Sequence, residues 1–262
     1  MATSKTQSHM QTSQKSNGAA RSRRHARTAY NKVELEEIFR RFSVQRPEPK
    51  GELEHVNPFT LVVAVALSAQ ATDVGVNRAT RKLFQIADTP AKMLALGEEG
   101  VIEHIKTIGL YRNKAKNVIA LCRMLLNDFG GEVPQTREEL MRLPGVGRKT
   151  ANVVMSMAFG IPTLAVDTHV FRIANRIKLA PGANPDAVED NLVRVIPKQY
   201  LFHAHHWLIL HGRYTCKARK PECEICVIAD LCRYPAKTND IPAPLVELPA
   251  QMIGAAALSE SE

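Results

Sequence analysis

Lys149 stands at an unusual place in the segment LPGVGRKTA, because it follows two glycines and lies in the first turn of a predicted helix. The positive end of the helix dipole disfavours a cation there, and partial burial would disfavour it further. Both effects increase the fraction of neutral amine, a nucleophile that can form a Schiff base with a sugar aldehyde carbon. The position therefore suits covalent chemistry, while a salt bridge to a phosphate is the simpler use of the same side chain.

Asp167 is the second candidate for chemistry. It directly precedes a predicted helix whose apolar residues recur at positions 170, 173, 174 and 177, so its simplest role is an N-cap. One carboxylate oxygen can cap a helix while the other faces a substrate. If Asp167 shares a cleft with Lys149, it could stabilise positive charge developing on a deoxyribose and assist proton transfer at the amine.

Four of the five cysteines are crowded into one segment with the spacing C-x6-C-x2-C-x5-C. They are Cys216, Cys223, Cys226 and Cys232. Four thiolates this close together can surround one metal centre, and both zinc and an iron–sulfur cluster accept four sulfurs. The asymmetric spacing fits the paired knuckles of structural zinc sites poorly. Lys217, Arg219 and Lys220 lie between the first two cysteines and predict a metal-held basic loop that contacts a DNA backbone.

A histidine-rich stretch, FHAHHWLILHGRY, lies just upstream of the cysteines. Its histidines are His203, His205, His206 and His211. Because the thiolates already supply a full ligand set, we interpret this stretch as a helix that packs Trp207 and Leu210 inward rather than as a metal site.

The elements that must position these residues are helices. N-cap and proline signals recur from Asn31 to about Pro235, and no clean alternation of apolar and polar residues indicates a strand, which predicts an all-α fold. Gly145 and Gly147 separate two of the helices. A plain turn between helices would need such glycines, but they would also let a phosphate approach the bare amides at the start of the second helix. Arg148 and Lys149 follow at once and favour binding to a DNA backbone.

A second glycine turn repeats this pattern. Gly109 lies between predicted helices and is followed by Arg112, Lys114 and Lys116. A run of this kind is usually a solvated helix face, and its recurrence in one chain predicts a surface that follows phosphates.

Charge is concentrated at the start of the 262-residue chain. The formal charge is +9, but residues 1–33 hold seven cations and no acid, which leaves 28 basic against 26 acidic residues elsewhere. This composition predicts disorder and suits a DNA-binding arm, an organelle transit peptide or an inert extension. The longest apolar run, 61–67, is too short to cross a bilayer, and no apolar secretory segment follows Met1. We therefore expect a soluble protein that makes no membrane contact.

Taken together, these motifs resemble the endonuclease III family, the bifunctional DNA glycosylases of the helix-hairpin-helix superfamily. The likeness spans about residues 30–238 and rests on LPGVGRKTA, VDTH, LSAQATD at 67–73, HGRYTC and the cysteine spacing. It implies excision of oxidised pyrimidines from duplex DNA, followed by cleavage of the abasic strand by β-elimination. It also implies that Lys149 is the nucleophile, that Asp167 is the catalytic carboxylate, and that the four cysteines hold a [4Fe-4S] cluster. Gln70 and Leu110 match residues that enter the duplex where the damaged nucleotide is flipped out.

The resemblance also implies a division into domains. A six-helix barrel with the helix-hairpin-helix is expected over 51–161, and a smaller helical cluster domain over 30–50 and 162–240. The catalytic cleft is expected between them. Residues 1–29 are expected to form a disordered basic tail and 241–262 a flexible tail.

Two other functions remain open on the residues alone. A monofunctional glycosylase would use Asp167 and water without Lys149, and a non-catalytic module would bind DNA through its hairpins and metal-held loop. The related adenine glycosylases usually have tyrosine at the lysine position, which argues against that branch. As partners we expect double-stranded DNA with oxidised pyrimidines or abasic sites. We also expect a monomer that is cytoplasmic and associated with the nucleoid, while the basic tail leaves organelle targeting open.

Overall fold

Helices form all of the regular structure in residues 27–237, the part of the chain that the computed structural model describes. This confirms the all-α prediction. The α-helices are α1 (Lys32–Gln45), α2 (Pro58–Leu67), α3 (Asp73–Ile86), α4 (Pro90–Ile105), α5 (Tyr111–Asp128), α6 (Arg137–Leu140), α7 (Arg148–Phe159), α8 (Thr168–Arg176), α9 (Pro185–Val195) and α10 (Leu201–Tyr214). Short 3-10 turns lie at Lys198–Tyr200 and Cys223–Ile225. Within the described range, no helix is both long and apolar enough to cross a bilayer.

Two large hydrophobic cores organise these helices, and a small third cluster packs α2 and α7 against Ala165. The larger core joins α2 through α7 and buries residues such as Leu67, Leu83 and Leu121. The smaller core joins α1 to α8, α9 and α10, so the first helix packs with the last third of the chain. The Tyr30 hydroxyl links the start of α1 to the end of α8, because it donates to the Ile177 carbonyl at 2.9 Å. The domain boundaries given above stay a prediction, and residues 1–26 and 238–262, with most of both tails, lie outside the described residues.

Local signals explain where the site-bearing helices begin and end. Helix α7 starts directly after Gly147, and it ends at Gly160, whose φ of +67° suits glycine. Gly145 has a φ of +81°, and a Cβ there would meet Asn117 at 3.3 Å. The hairpin between α6 and α7 therefore needs glycine at 145 for both conformation and space. At α3 the cap is Thr72, whose hydroxyl accepts the Gly75 N–H.

Candidate active site

A cleft between the two cores brings Lys149 and Asp167 together. It is an open cleft of about 600 Å³, and both side chains line it. One wall comes from α2 and α7 of the larger core, and the other from α10 of the smaller core. The wall residues include Val65, Ser68, Val153, Met157, His205, His206, Ile209, Leu210 and Arg213.

Lys149 is the second residue of α7. The N-cap residue of α7 is Gly147, which has no side chain to accept the first-turn amides, so these amides and the positive end of the dipole are left open. The partial burial expected from the sequence is wrong, because Lys149 is exposed. The amine is therefore accessible to a substrate in the cleft, and its unusual feature is the helix start rather than desolvation.

Asp167 is the N-cap of α8, as the sequence predicted. Its Oδ1 accepts the backbone N–H of Val170 at 2.8 Å. The cap uses one carboxylate oxygen and fixes the side chain, which is half-buried at the cleft. A carboxylate held in this way keeps its charge directed at the cleft without reorganisation during a reaction.

Two histidines of α10 complete the floor of the cleft. Burial lowers the pKa of His205 to about 4, with a smaller lowering from His206 and Lys149 and an opposing effect from Asp167. Its Nδ1 donates to the Ala165 carbonyl at 2.7 Å, so a neutral ring links α10 to the segment before Asp167. Burial also lowers the pKa of His206, whose Nδ1 has no hydrogen-bond partner in the described part of the chain. The sequence interpretation treated this stretch as a helix that packs Trp207 and Leu210 inward and gave its histidines no role at the cleft, because no spacing signal distinguishes a cleft residue from a core residue here.

Charged residues that line the cleft form ion pairs that link the two cores. Arg213 on α10 pairs with Asp73 at 2.9 Å and with Glu52. The Tyr214 hydroxyl also donates to Glu52 at 2.8 Å. Sequence reasoning missed this cluster, because Arg213 and Tyr214 lie more than a hundred positions from Glu52 and Asp73 and no motif links them.

Arg148 is held by acidic residues of α9 rather than left free. Its guanidinium lies 2.9 Å from Glu189, 3.2 Å from Asp190 and 3.7 Å from Asp186. Glu189 is buried and also pairs with Arg137 at 3.3 Å. In this structure Arg148 therefore joins the two cores, and this role competes with the predicted phosphate contact. Gly145 and Gly147 are exposed, as the approach of a phosphate requires.

Gln70 and Leu110 lie at one recess although forty positions separate them. Both have left-handed backbone, with φ of 56° and 60°, and Leu110 is 60% exposed. The recess also reaches Gly145 of the hairpin. Lys114 lies in the same recess but is buried, so it does not belong to the solvated, phosphate-following face that the sequence predicted.

The four cysteines line a single cavity of about 370 Å³ beneath α10. None forms a disulfide, and burial raises the pKa of the Cys226 thiol to about 12, helped by the neighbouring thiols. The thiols would therefore lose their protons here only when a positively charged centre stabilises the thiolates. No three described His, Cys, Asp or Glu side chains are arranged to hold a single metal ion. The donor set and the size of the cavity fit an iron–sulfur cluster.

Arg176 of α8 holds the basic loop that follows Cys216. Arg176 donates to the carbonyls of Lys217 and Ala218 at 2.6 and 2.7 Å, and also approaches the Cys216 sulfur at 3.6 Å. Lys217 is paired with Glu222. Arg219 and Lys220 are exposed, so the loop presents these two cations freely.

Comparisons with known families agree with this geometry. Residues 63–198 match the HhH-GPD family, described as "HhH-GPD superfamily base excision DNA repair protein". Residues 216–232 match the "Iron-sulfur binding domain of endonuclease III".

Curated relatives extend the match over most of the chain. It is similar to endonuclease III of Escherichia coli (strain K12), with 57% identity over 209 residues that cover 80% of this chain and 99% of the relative. Endonuclease III of Rickettsia conorii is 58% identical over 200 residues, which cover 76% and 95% of the two chains.

Solved structures give the same result. One described as "Structure of a Trapped Endonuclease III-DNA Covalent Intermediate: Estranged-Adenine Complex" superposes with a TM-score of 0.73 at 46% identity. It covers 78% of this chain and 97% of that one. A thermostable thymine-DNA glycosylase superposes with a TM-score of 0.68 at 27% identity and covers 78% and 95% of the two chains.

Proposed function

This chain belongs to the endonuclease III family of helix-hairpin-helix base excision repair proteins, and we propose that Lys149 is its nucleophile and Asp167 its assisting carboxylate. The protein is a DNA glycosylase that also cleaves abasic strands, and it carries a [4Fe-4S] cluster. The observation that supports the residue assignment is their position on one cleft between the two cores.

The proposed reaction begins at the sugar carbon that bears the damaged base. The neutral Lys149 amine bonds to that carbon as the bond to the base breaks, and the base leaves with the bonding electrons and gains a proton. Asp167 stabilises the positive charge on the sugar and takes a proton from the attached amine. Ring opening gives a Schiff base. Loss of a proton from the adjacent carbon then expels the 3′ phosphate, and water releases Lys149.

Access to that sugar requires the nucleotide to leave the base stack. Gln70 and Leu110 are suited to fill the resulting gap, because left-handed backbone at both positions presents exposed side chains from two separate turns. The free first-turn amides after Gly147 suit a phosphate, as do Arg219 and Lys220.

The four cysteines would hold the cluster, which links the end of α10 to the segment that follows it. Of these ligands, Cys216 and Cys223 flank the basic loop and would anchor it at both ends. All four thiolates are used as ligands, so we assign it a structural role.

Oxidised pyrimidines and abasic sites in duplex DNA are the proposed substrates. The amine, the carboxylate and the half-buried polar His206 in one cleft support a flipped nucleotide as ligand. A trapped covalent DNA complex of a related protein supports the lysine chemistry. The monomeric state and the association with the nucleoid stay predictions.

A lesion panel separates this function from its alternatives. Duplexes that carry thymine glycol, other oxidised pyrimidines or undamaged bases are incubated with the protein, and base release and strand cleavage are measured separately. We expect both products from oxidised pyrimidines. Base release with an intact strand would identify a monofunctional glycosylase, and tight binding without base release would identify a non-catalytic module.

A further inference from the structure

A second recess lies beside the end of α2, and its lining residues are different from those of the catalytic cleft. The end of α2 and the residues after it separate the two. Val65 and Ser68 line the catalytic cleft, whereas Leu67 and Gln70 line the recess. The hairpin contributes in the same way, with Gly145 at the recess and Lys149 at the cleft. The end of α2 and the hairpin therefore separate the reactive amine in the cleft from the proposed duplex-entering residues at the recess.

Lys114 is the unexplained group in this recess. The residue is only 8% exposed, and its Nζ has no hydrogen-bond partner among residues 27–237. No Asp or Glu lines the recess to serve as counter-ion. A buried and unpaired ammonium is costly for a fold, and burial accordingly lowers the pKa of Lys114. A group that compensates this cost is expected when the protein is in its working complex.

The walls indicate the chemistry of that group. They are mostly apolar, with polar atoms supplied by carboxamides at the rim. The apolar residues are Ala66, Leu67, Ala69, Val118 and Leu121, and the carboxamides are Gln70, Asn113 and Asn117. Apolar walls suit the faces of an aromatic base, and carboxamides suit its hydrogen-bonding edges. A phosphate is better served by the solvated cations elsewhere, such as the exposed Lys116 two residues along α5.

We propose that this recess receives the undamaged base opposite the lesion, and that the Lys114 ammonium donates a hydrogen bond to an acceptor atom on the edge of that base. The inference rests on the proposed function, since that base loses its pairing partner only when the lesion is flipped out. An ammonium donates but cannot accept, so guanine, with acceptors at O6 and N7, is its best ligand. Lys114 is thus a specificity residue that does not touch the reacting atoms.

Binding to DNA that differs only at the opposite position tests this inference. The probes are duplexes with one stable abasic analogue placed opposite guanine or opposite a second abasic analogue. For Lys114→Met we expect Kd to rise about tenfold opposite guanine, the size of one charge-assisted hydrogen bond, and less than about twofold where no base is present. Lys114→Gln, which keeps a neutral donor, should fall between Lys114→Met and the parent.

Lys116→Met is the matched control, because it removes an exposed cation from the same helix. We expect it to weaken binding equally on both duplexes. An equal loss for Lys114→Met on both duplexes would overturn the inference in favour of a phosphate contact, and no loss on either would show that Lys114 acts only in the fold. Excision by the parent protein on a lesion duplex is measured in parallel. Failure of that excision would contradict the proposed function instead.

Discussion

The carboxylate of Asp167 accepts the backbone N–H of Val170 at 2.8 Å and at the same time lines the cleft that contains Lys149. One side chain thus starts helix α8 and supplies the negative charge of the candidate active site. The two roles can be separated by substitution, because asparagine is as good an N-cap as aspartate but carries no charge.

Asp167→Asn should therefore retain the fold and lose activity. We expect base excision to fall by at least about a hundredfold, as for loss of a proton-transfer group, with little change in the unfolding midpoint. Asp167→Ala should lose activity equally and also destabilise the fold by about 1 kcal/mol, because the cap is lost. The test is to measure the excision rate and the thermal unfolding midpoint of both variants. Near-parental excision by Asp167→Asn would show that the carboxylate serves only as a cap.

Arg148 provides a test of which hairpin cations bind phosphate. Its guanidinium pairs with Glu189 at 2.9 Å, so Arg148→Met should destabilise the fold by about 1 kcal/mol, a figure reduced for the partial exposure of the arginine. We expect the salt dependence of DNA binding to remain near that of the parent. Lys116→Met is the comparison, and its salt slope should fall by about 1. Equal reductions in both variants would mean that Arg148 leaves its acidic partners to bind DNA.

The burial of His205 predicts that the free energy of unfolding falls at acidic pH. Burial lowers its pKa to about 4, below the ordinary value of 6.5, so the unfolded chain binds the extra proton first as pH falls. The stability contributed by the neutral ring is complete above pH 6.5 and is lost as pH falls towards 4, to a limit of about 3 kcal/mol. The free energy of unfolding of His205→Asn should change less steeply over this window. The exposed His55→Asn is the control and should follow the parent, and parallel profiles for all three proteins would refute the assignment.

The metal content can be checked without any activity assay. We expect broad absorption near 400 nm, about four irons for each chain and no stoichiometric zinc. Cys226→Ser should lose this absorption, because it removes one of the four ligands. Cys122→Ala should keep it, since Cys122 is buried in the other core. A colourless protein that contains zinc would contradict the cluster assignment.

Features with local causes could be predicted from the sequence. The start of α2 at Pro58, the end of α7 at Gly160 and the Asp167 cap all follow from residues within one helical turn. The cleft shared by Lys149 and Asp167 followed only from family resemblance, because nothing local brings the two cores together.

Other features depend on orientation and distant contacts, which local patterns do not encode. Residues two apart on a helix point to different faces, so Arg112, Lys114 and Lys116 cannot all share one solvated surface, and Lys114 is the member that turns inward. The contact between Arg148 and Glu189 joins helices 41 positions apart in sequence. The exposure of Lys149 was also predicted incorrectly, because the burial of a helix start depends on packing with distant elements, which the local sequence does not show.

Borohydride trapping on thymine-glycol or abasic DNA tests the central claim most directly, since it converts a lysine Schiff base into a stable covalent bond. We predict a trapped complex for the parent and for Lys116→Gln, and none for Lys149→Gln. Because Lys149 is exposed, Lys149→Gln should unfold at the parental temperature, which separates lost chemistry from lost structure. A Lys149→Gln protein that is trapped as efficiently as the parent would contradict the assignment of Lys149 as the nucleophile.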